Sequence, residues 1–402
     1  MVDAYIIDGI RTPVGSFGGT LGPVRTDDLA AHVLAELMRR NPDVDAALID
    51  DIIMGCANQA GEDNRNVARM ASLLAGLPSS VPAETINRLC ASGLSAVQQA
   101  SRAIKAGDGD FFIAGGVEHM TRGPYVMSKA SKAYGTDSQM HDSSFGWRFV
   151  NPRMRERYGA DAMGETAENL VDQHNISRED QDAFAAWSQQ KTADAQAAGY
   201  FEGEITPVNI PRRKQDDLVF AQDEFPRPST TSAGLSKLRP AFRRDGGTVT
   251  AGNASGLNDG AAAILMASGR AVEQHGLKPL AKVVAGAVAG VEPRTMGIGP
   301  VPATEKALAK AGLTLDDMGI IELNEAFAAQ VLACTRTMGL ADNDPRINPK
   351  GGSISIGHPL GMSGARLALT AARQLHQSDH RYALVTMCIG VGQGYAVILE
   401  RA

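Results

Sequence analysis

The sequence predicts an α/β protein built as two similar halves around an insertion. Three features carry that expectation: short β-type runs alternate with helical patterns near both ends, a charged stretch separates these regions, and a reactive side chain stands at the same joint in each. Ala4 to Ile7 reads as a strand, Asp28 to Arg39 as a helix, Ile49 to Met54 as a strand and Val67 to Ala75 as a helix. Leu94, Val97 and Ile104 recur at helical spacing within Ala91 to Ala106, Gly107 stops that helix, and the apolar run Phe111 to Gly115 follows. The region from Thr121 to Gly247 holds both tryptophans, Trp147 and Trp187, with many charges and prolines, and reads as an inserted loop domain with some helix. Beyond it come a strand at Ile320 to Leu323, helices from Glu325 to Met338 and Gly361 to Leu375, and strands at Ala383 to Met387 and Tyr395 to Leu399. Cys90 precedes a helix and a strand in the first half as His358 does in the second. Gene duplication and the default rhythm of two βαβ units explain that echo equally well.

Composition removes several function classes. A chain of 402 residues with 44% hydrophobic and 21% charged residues has the balance of a globular protein, which excludes wholesale disorder. Lysine and arginine total 39 against 45 acidic residues, a net charge of −6, so the summed field repels nucleic acid. No run approaches the ~18 consecutive apolar residues of a membrane helix. The opening residues Met1 to Gly9 carry acidic flanks and no basic leader pattern, so a cytoplasmic location is expected. The four cysteines, Cys56, Cys90, Cys334 and Cys388, form no C-x-x-C pair, so neither a disulfide framework nor a metal site is expected.

Five short strings carry residue types suited to chemistry. Cys90, in Asn87 to Gly93, stands just before a predicted helix whose free N–H groups would favour a thiolate, although most free cysteines are buried hydrophobes. His358 lies in the glycine-dense run Gly351 to Gly364 and could act as a base toward a thiol, or be an ordinary turn histidine. Cys388 opens Cys388 to Gly394, a tight bend whose N–H groups, Gly390 included, could converge on an oxyanion. That G-x-G-x-G string precedes a strand instead of opening a helix, which argues against dinucleotide binding. Asn324 could hold a water or an oxyanion, but in isolation it reads better as a helix N-cap. Thr250 to Gly260, with Ser255, packs small polar residues where a ligand could meet backbone, and also reads as a turn-rich loop. Arg148, Arg153, Arg155, Arg157 and Arg227 lie in the insertion, where phosphates or a carboxylate could meet them, yet most surface arginines are merely solvated.

Taken together, Asn87 to Gly93, Gly252 to Gly260, Asn324 to Ala328 and the paired Gly351 to Gly364 and Cys388 to Gly394 resemble the thiolase family, in order, from Arg11 to Gly394. The resemblance implies an α/β thiolase fold: two βαβαβαββ halves in a five-layered αβαβα core, with a loop domain covering a coenzyme A site. On that basis residues 1–120 and 248–270 form the first half, 121–247 the loop domain and 271–402 the second half. It further implies Cys90 as the acylated nucleophile, His358 as its base and an oxyanion donor, Cys388 as acid and base at the α-carbon, and Asn324 as the holder of a water in one oxyanion hole. The N–H groups of Cys90 and Gly390 would form the other hole. Met163, Arg227, Ser255 and Phe327 carry over as coenzyme A contacts. Coenzyme A and acyl-CoA thioesters are then the expected partners, with no cofactor, and a homotetramer or homodimer is implied.

Within the family, Gly55 to Asn66, Gly146 to Pro152, Met296 to Ala303 and Cys388 to Gly394 are similar to 3-oxoadipyl-CoA thiolases of aromatic degradation. Their distal carboxylate asks for a cation, and Arg148 is the candidate, with binding of a coenzyme A phosphate as its rival role. Acetoacetyl-CoA thiolases usually carry a His-Met pair where this chain reads Ala162-Met163. Acetoacetyl-CoA or general 3-ketoacyl-CoA thiolysis, β-ketoacyl synthesis, cysteine hydrolysis and non-catalytic acyl-CoA binding stand as alternatives.

Overall fold

The computed structural model describes residues 2–402. The first half contributes strands β1 (Ala4–Arg11), β2 (Asp51–Gly55), β3 (Ala83–Ile86), β4 (Phe111–His119) and β5 (Asn258–Ser268), hydrogen-bonded in the order β3-β2-β4-β5-β1. The second contributes β6 (Ala281–Gly290), β7 (Met318–Leu323), β8 (Tyr382–Ile389) and β9 (Gln393–Arg401) in the order β7-β8-β9-β6, with a parallel bridge from Ile321 to Ile347 at the outer edge. Pairing directions repeat as well as order: β4 is parallel to β2 and antiparallel to β5, as β8 is parallel to β7 and antiparallel to β9. Short antiparallel pairing of Tyr5 and Ile6 with Lys282 and Ala281 joins the two sheets.

Helices α1 (Thr26–Arg40) and α2 (Val67–Leu74) cover the outer face of the first sheet, and α4 (Pro300–Ala311) and α5 (Ala328–Thr337) that of the second. Between the sheets, α3 (Ser92–Ala106) packs on α6 (Leu360–His376), which gives five layers. Both central helices are amphipathic only in part: every position of α6 from Gly361 to Ala372 is buried, because sheet lies on one side and helix on the other. Strands β4 and β5 are buried along their whole length, consistent with helices on both faces.

The α3–α6 contact depends on glycine. A Cβ at Gly93 would stand 2.6 Å from the Gly361 carbonyl oxygen and 2.8 Å from the Ala365 nitrogen, and one at Gly364 would stand 2.3 Å from the Leu94 nitrogen. These are backbone atoms, which cannot swing aside. Gly93→Ala should therefore lower the unfolding free energy by about 1–3 kcal/mol through overpacking, read as a shifted denaturant midpoint.

Residues between β4 and β5 include helices Met163–His174 and Arg178–Ala197 and two short hairpins. They are fastened to the core by Arg11 of β1, whose wholly buried guanidinium pairs with Glu204 and Asp223, each at 2.7 Å. Such a pair is expensive to break from one side, because the remaining charge would be buried unpaired. Among the described residues no helix is long and apolar enough to cross a membrane.

Candidate active site

The loops at the ends of β3, β5, β7 and β8 and the approach to α6 meet segments of the insertion around a cavity of about 680 Å³. Cys90, His358 and Cys388 all line it, although they lie far apart in sequence. Met163, Arg227, Ser255 and Phe327 line it too, whereas Arg148, Asn324 and Gly390 do not. The lining contains the cation Arg227 and no aspartate or glutamate, a balance suited to an anionic ligand.

Cys90 occupies a 3₁₀ turn, Leu89–Ala91, immediately before α3. Its sequence neighbour Leu89 has φ of 46°, Gly357 before His358 has φ of 113°, and Val391 after Gly390 has φ of 64°. All three site loops thus place a residue in the left-handed region beside a reactive group, and the two non-glycine cases carry a strain of about 1–3 kcal/mol each. The expected lowering of the Cys90 thiol pKa is not what the surroundings produce. Burial pushes it up to about 11, opposed only in part by the N–H groups of Gly390 and of Cys90 itself, which face the sulfur. Burial, then the neighbouring Cys90, also hold the Cys388 thiol well above its ordinary range. Both sulfurs therefore rest protonated at neutral pH. Cys388 is 1% exposed and packs in a small apolar cluster with Phe327, Ala254 and Met163. A bridge between Ala254 and Phe327 and a bond from the Ser255 N–H to the Ala326 carbonyl fix that wall.

His358 is buried, and desolvation followed by the charge of Arg366 pushes its pKa down to about 3. Its backbone N–H donates to Asn258 Oδ1, its Nδ1 stands 2.6 Å from Ser363 Oγ, and its Nε2 stands 3.4 Å from Asn324 Nδ2. Asn324 does not cap a helix. The following helix begins at Ala328, because Glu325 turns inward to Ser188, Asn348 and the Ile354 N–H while Phe327 bridges to Ala254. Asn324 instead accepts from Ser353 Oγ at 2.7 Å. Ser353, Ser363 and Arg366 are site residues that the sequence reading missed. Only their place in the glycine-dense run and on the first turns of α6 could have drawn attention to them.

Arg148 donates to Asn58 Oδ1 and to the Ser143 carbonyl, close in sequence to Phe145, which does line the cavity. Arg227 is exposed, and its backbone N–H is held by Gln189. One group of metal-ligand type, Cys56, Asp63 and Glu118, lies buried outside this lining. Its carboxylates already accept the N–H groups of Ala57, Asn58, Gln59, Gly61 and Gly361, so the cluster pins the loop after β2 to the start of α6.

Two thiols and an imidazole facing one cavity, with N–H groups aimed at the nucleophile, are the outfit of a cysteine-based acyl-transfer enzyme. Family models for the thiolase N-terminal and C-terminal domains match residues 4–270 and 277–401, and the chain belongs to the thiolase family. A β-ketoadipyl-CoA thiolase of Acinetobacter baylyi is 59% identical over the full length of both chains. A 3-oxoadipyl-CoA/3-oxo-5,6-dehydrosuberyl-CoA thiolase of Escherichia coli K12 is 60% identical, again over both full lengths. Among solved structures, the acetyl-CoA acetyltransferase of Bacillus anthracis superposes with a TM-score of 0.92 at 38% identity, covering 100% of this chain and 99% of that one.

Proposed function

We propose that this chain is a thiolase that cleaves 3-oxoadipyl-CoA with coenzyme A to succinyl-CoA and acetyl-CoA. The observation that carries the mechanism is the shared cavity of Cys90, His358 and Cys388. Full-length relatives at 59–60% identity, named for 3-oxoadipyl-CoA, carry the substrate. Cys90 Sγ attacks the C3 carbonyl carbon and passes its proton to His358 Nε2. The C2–C3 bond breaks, its electron pair leaves on C2 as the acetyl-CoA enolate, and Cys388 supplies the proton to C2. The thiol of a second coenzyme A then attacks the succinyl thioester on Cys90 and gives its proton to the Cys388 thiolate, while the departing Cys90 sulfur recovers its proton from His358, so all three groups return to their starting state. The N–H groups of Cys90 and Gly390 receive the oxyanion at the attacked carbon, while His358 and a water on Asn324 receive the enolate oxygen.

Met163, Arg227, Ser255 and Phe327 are the proposed contacts to coenzyme A, and the reaction as written needs no metal or redox cofactor. Coenzyme A and its acyl thioesters are the proposed partners, with neither nucleic acid nor membrane. A cytoplasmic homotetramer or homodimer, and a loop domain spanning 121–247 inserted within the first half (1–120 and 248–270) ahead of the second half 271–402, complete the reading.

For the distal carboxylate, the proposed cation is Arg148. Arg148→Ala should reduce kcat/KM for 3-oxoadipyl-CoA about 10- to 100-fold, the scale of one charge-assisted hydrogen bond, and leave uncharged 3-oxoacyl-CoAs nearly unaffected. A thiolysis panel across charged and uncharged substrates tests both proposals. Equal losses on both substrate types would remove Arg148 from the carboxylate role, and a wild-type preference for uncharged chains would remove 3-oxoadipyl-CoA as substrate.

A further inference from the structure

Behind the cavity a single file of hydrogen bonds runs from Arg366 to the Pro359 carbonyl. Arg366 Nη2 stands 3.4 Å from Ser353 Oγ, Ser353 Oγ 2.7 Å from Asn324 Oδ1, and Asn324 Nδ2 3.4 Å from His358 Nε2. It continues from His358 Nδ1 to Ser363 Oγ at 2.6 Å and from Ser363 Oγ to the Pro359 carbonyl at 2.8 Å. All five side chains are at least nine-tenths buried.

The carbonyl end sets the direction of the protons in between. A carbonyl only accepts, so the Ser363 hydroxyl gives its hydrogen to Pro359 and must receive one from His358 Nδ1. A neutral imidazole with its hydrogen on Nδ1 presents a lone pair at Nε2, which suits the amide nitrogen of Asn324. That orientation turns Asn324 Oδ1 toward Ser353, which must donate. The donor-only guanidinium of Arg366 occupies one of the two Ser353 lone pairs, so the serine hydrogen points away from Arg366 and is free to reach Asn324. The order is set from the Pro359 end, and the Arg366 contact is compatible with it.

We infer that Arg366, acting through Ser353, is a positioning residue that orients the Asn324 amide and holds His358 with Nε2 unprotonated, ready to take the Cys90 proton. The inference rests on the thiolase reading only for the last clause. Its surroundings agree with it. Arg366 Nη1 and Glu322 Oε2 lie 3.8 Å apart, and both lack a hydrogen-bond partner. The guanidinium is thus tied to Glu322 by charge alone and keeps its other nitrogen for Ser353. Glu322 and Glu325 from β7 and its end, Arg366 from α6, Arg11 of β1 with Glu204, and the thiols of Cys90 and Cys388 are ionisable groups around this file. The imidazole, depressed by burial and then by Arg366, is neutral through the physiological range, so its tautomer is the variable that matters. The two longer bonds, at Arg366 and at His358 Nε2, are of the kind that tighten when substrate is bound.

The test combines a rate and a spectrum. Acetyl-CoA is mixed with enzyme and the acetyl adduct on Cys90 is followed by mass spectrometry. Ser353→Ala should slow adduct formation about tenfold, the scale of one net hydrogen bond, with unchanged coenzyme A affinity. Ser353→Thr keeps the hydroxyl and should recover most of the rate. Adduct formation at the wild-type rate in Ser353→Ala, or equal slowing in both variants, overturns the inference. Nitrogen NMR of histidine-labelled wild-type protein, with His358 assigned by its loss in His358→Gln, reads the tautomer even if the Ser353 variants do not fold. Hydrogen on Nδ1 supports the inference and hydrogen on Nε2 overturns it. Absence of any Cys90 adduct in wild-type protein would count against the thiolase reading instead, and the spectrum would still be readable.

Discussion

Cys90→Ala should abolish both the acetyl adduct and turnover, with a loss of about 10⁴-fold or more in kcat, while the fold and coenzyme A affinity persist. The size of the loss follows from the absence of a substitute nucleophile. Cys388 is 1% exposed and walled by Phe327, Ala254 and Met163, while Cys56 and Cys334 are buried away from the cavity. With its pKa near 11, only about one Cys90 thiol in 10⁴ is ionised at pH 7, so attack must be coupled to proton transfer. The N–H groups of Gly390 and Cys90 offset part of the burial penalty in the resting enzyme. On the proposed mechanism they do more once an oxyanion forms between them, because the charge is then fully developed. Intact-protein mass spectrometry and a thiolysis assay read the two effects separately. Residual turnover within about a hundredfold of wild type would mean that the acyl group is carried elsewhere, or not covalently at all.

The order of strands and helices near each end of the chain was legible because buried β-type runs and helical spacing are local signals. Gly107 stops α3 as read, in the left-handed conformation that glycine allows. Strand β5 was not legible. Its Asn258 to Ala263 segment, Asn-Asp-Gly-Ala-Ala-Ala, has little intrinsic β preference, and it is a strand because β1 and β4 pair with it from both sides. Read in isolation, Asn324 passed for an N-cap for a similar reason: its partners Ser353 and His358 lie 29 and 34 residues away, whereas the capping pattern was visible within five residues. The thiol of Cys90 was misjudged in direction. A helix start is written in the sequence, but the loss of water around the thiol is not, and that desolvation outweighs the N–H groups of Gly390 and Cys90 that face it. The repeat that the sequence left undecided is explicit in the sheets, where order and direction agree strand for strand and place Cys90 and His358 at equivalent joints before α3 and α6.

Cys388→Ala separates the two half-reactions. Acyl transfer between a thioester and Cys90 moves no proton at the α-carbon, so the variant should still acetylate Cys90 from acetyl-CoA within about tenfold of the wild-type rate. Cleavage of the C2–C3 bond leaves a carbanion-like enolate that must be protonated, and loss of the acid should slow 3-oxoacyl-CoA thiolysis by about 10²–10⁴-fold. The raised thiol pKa is what suits the residue to this proton transfer, since a sulfur that stays protonated at neutral pH can give a hydrogen to carbon and take it back in the reverse direction. A serine in its place would be a much weaker acid in the same apolar wall, and an ionised aspartate there would be unpaired beside Phe327 and Met163. The decisive comparison is therefore between adduct formation and turnover in one variant. If both fall together, Cys388 shapes the pocket around Cys90; if only carbon–carbon chemistry falls, the second sulfur is the proton carrier.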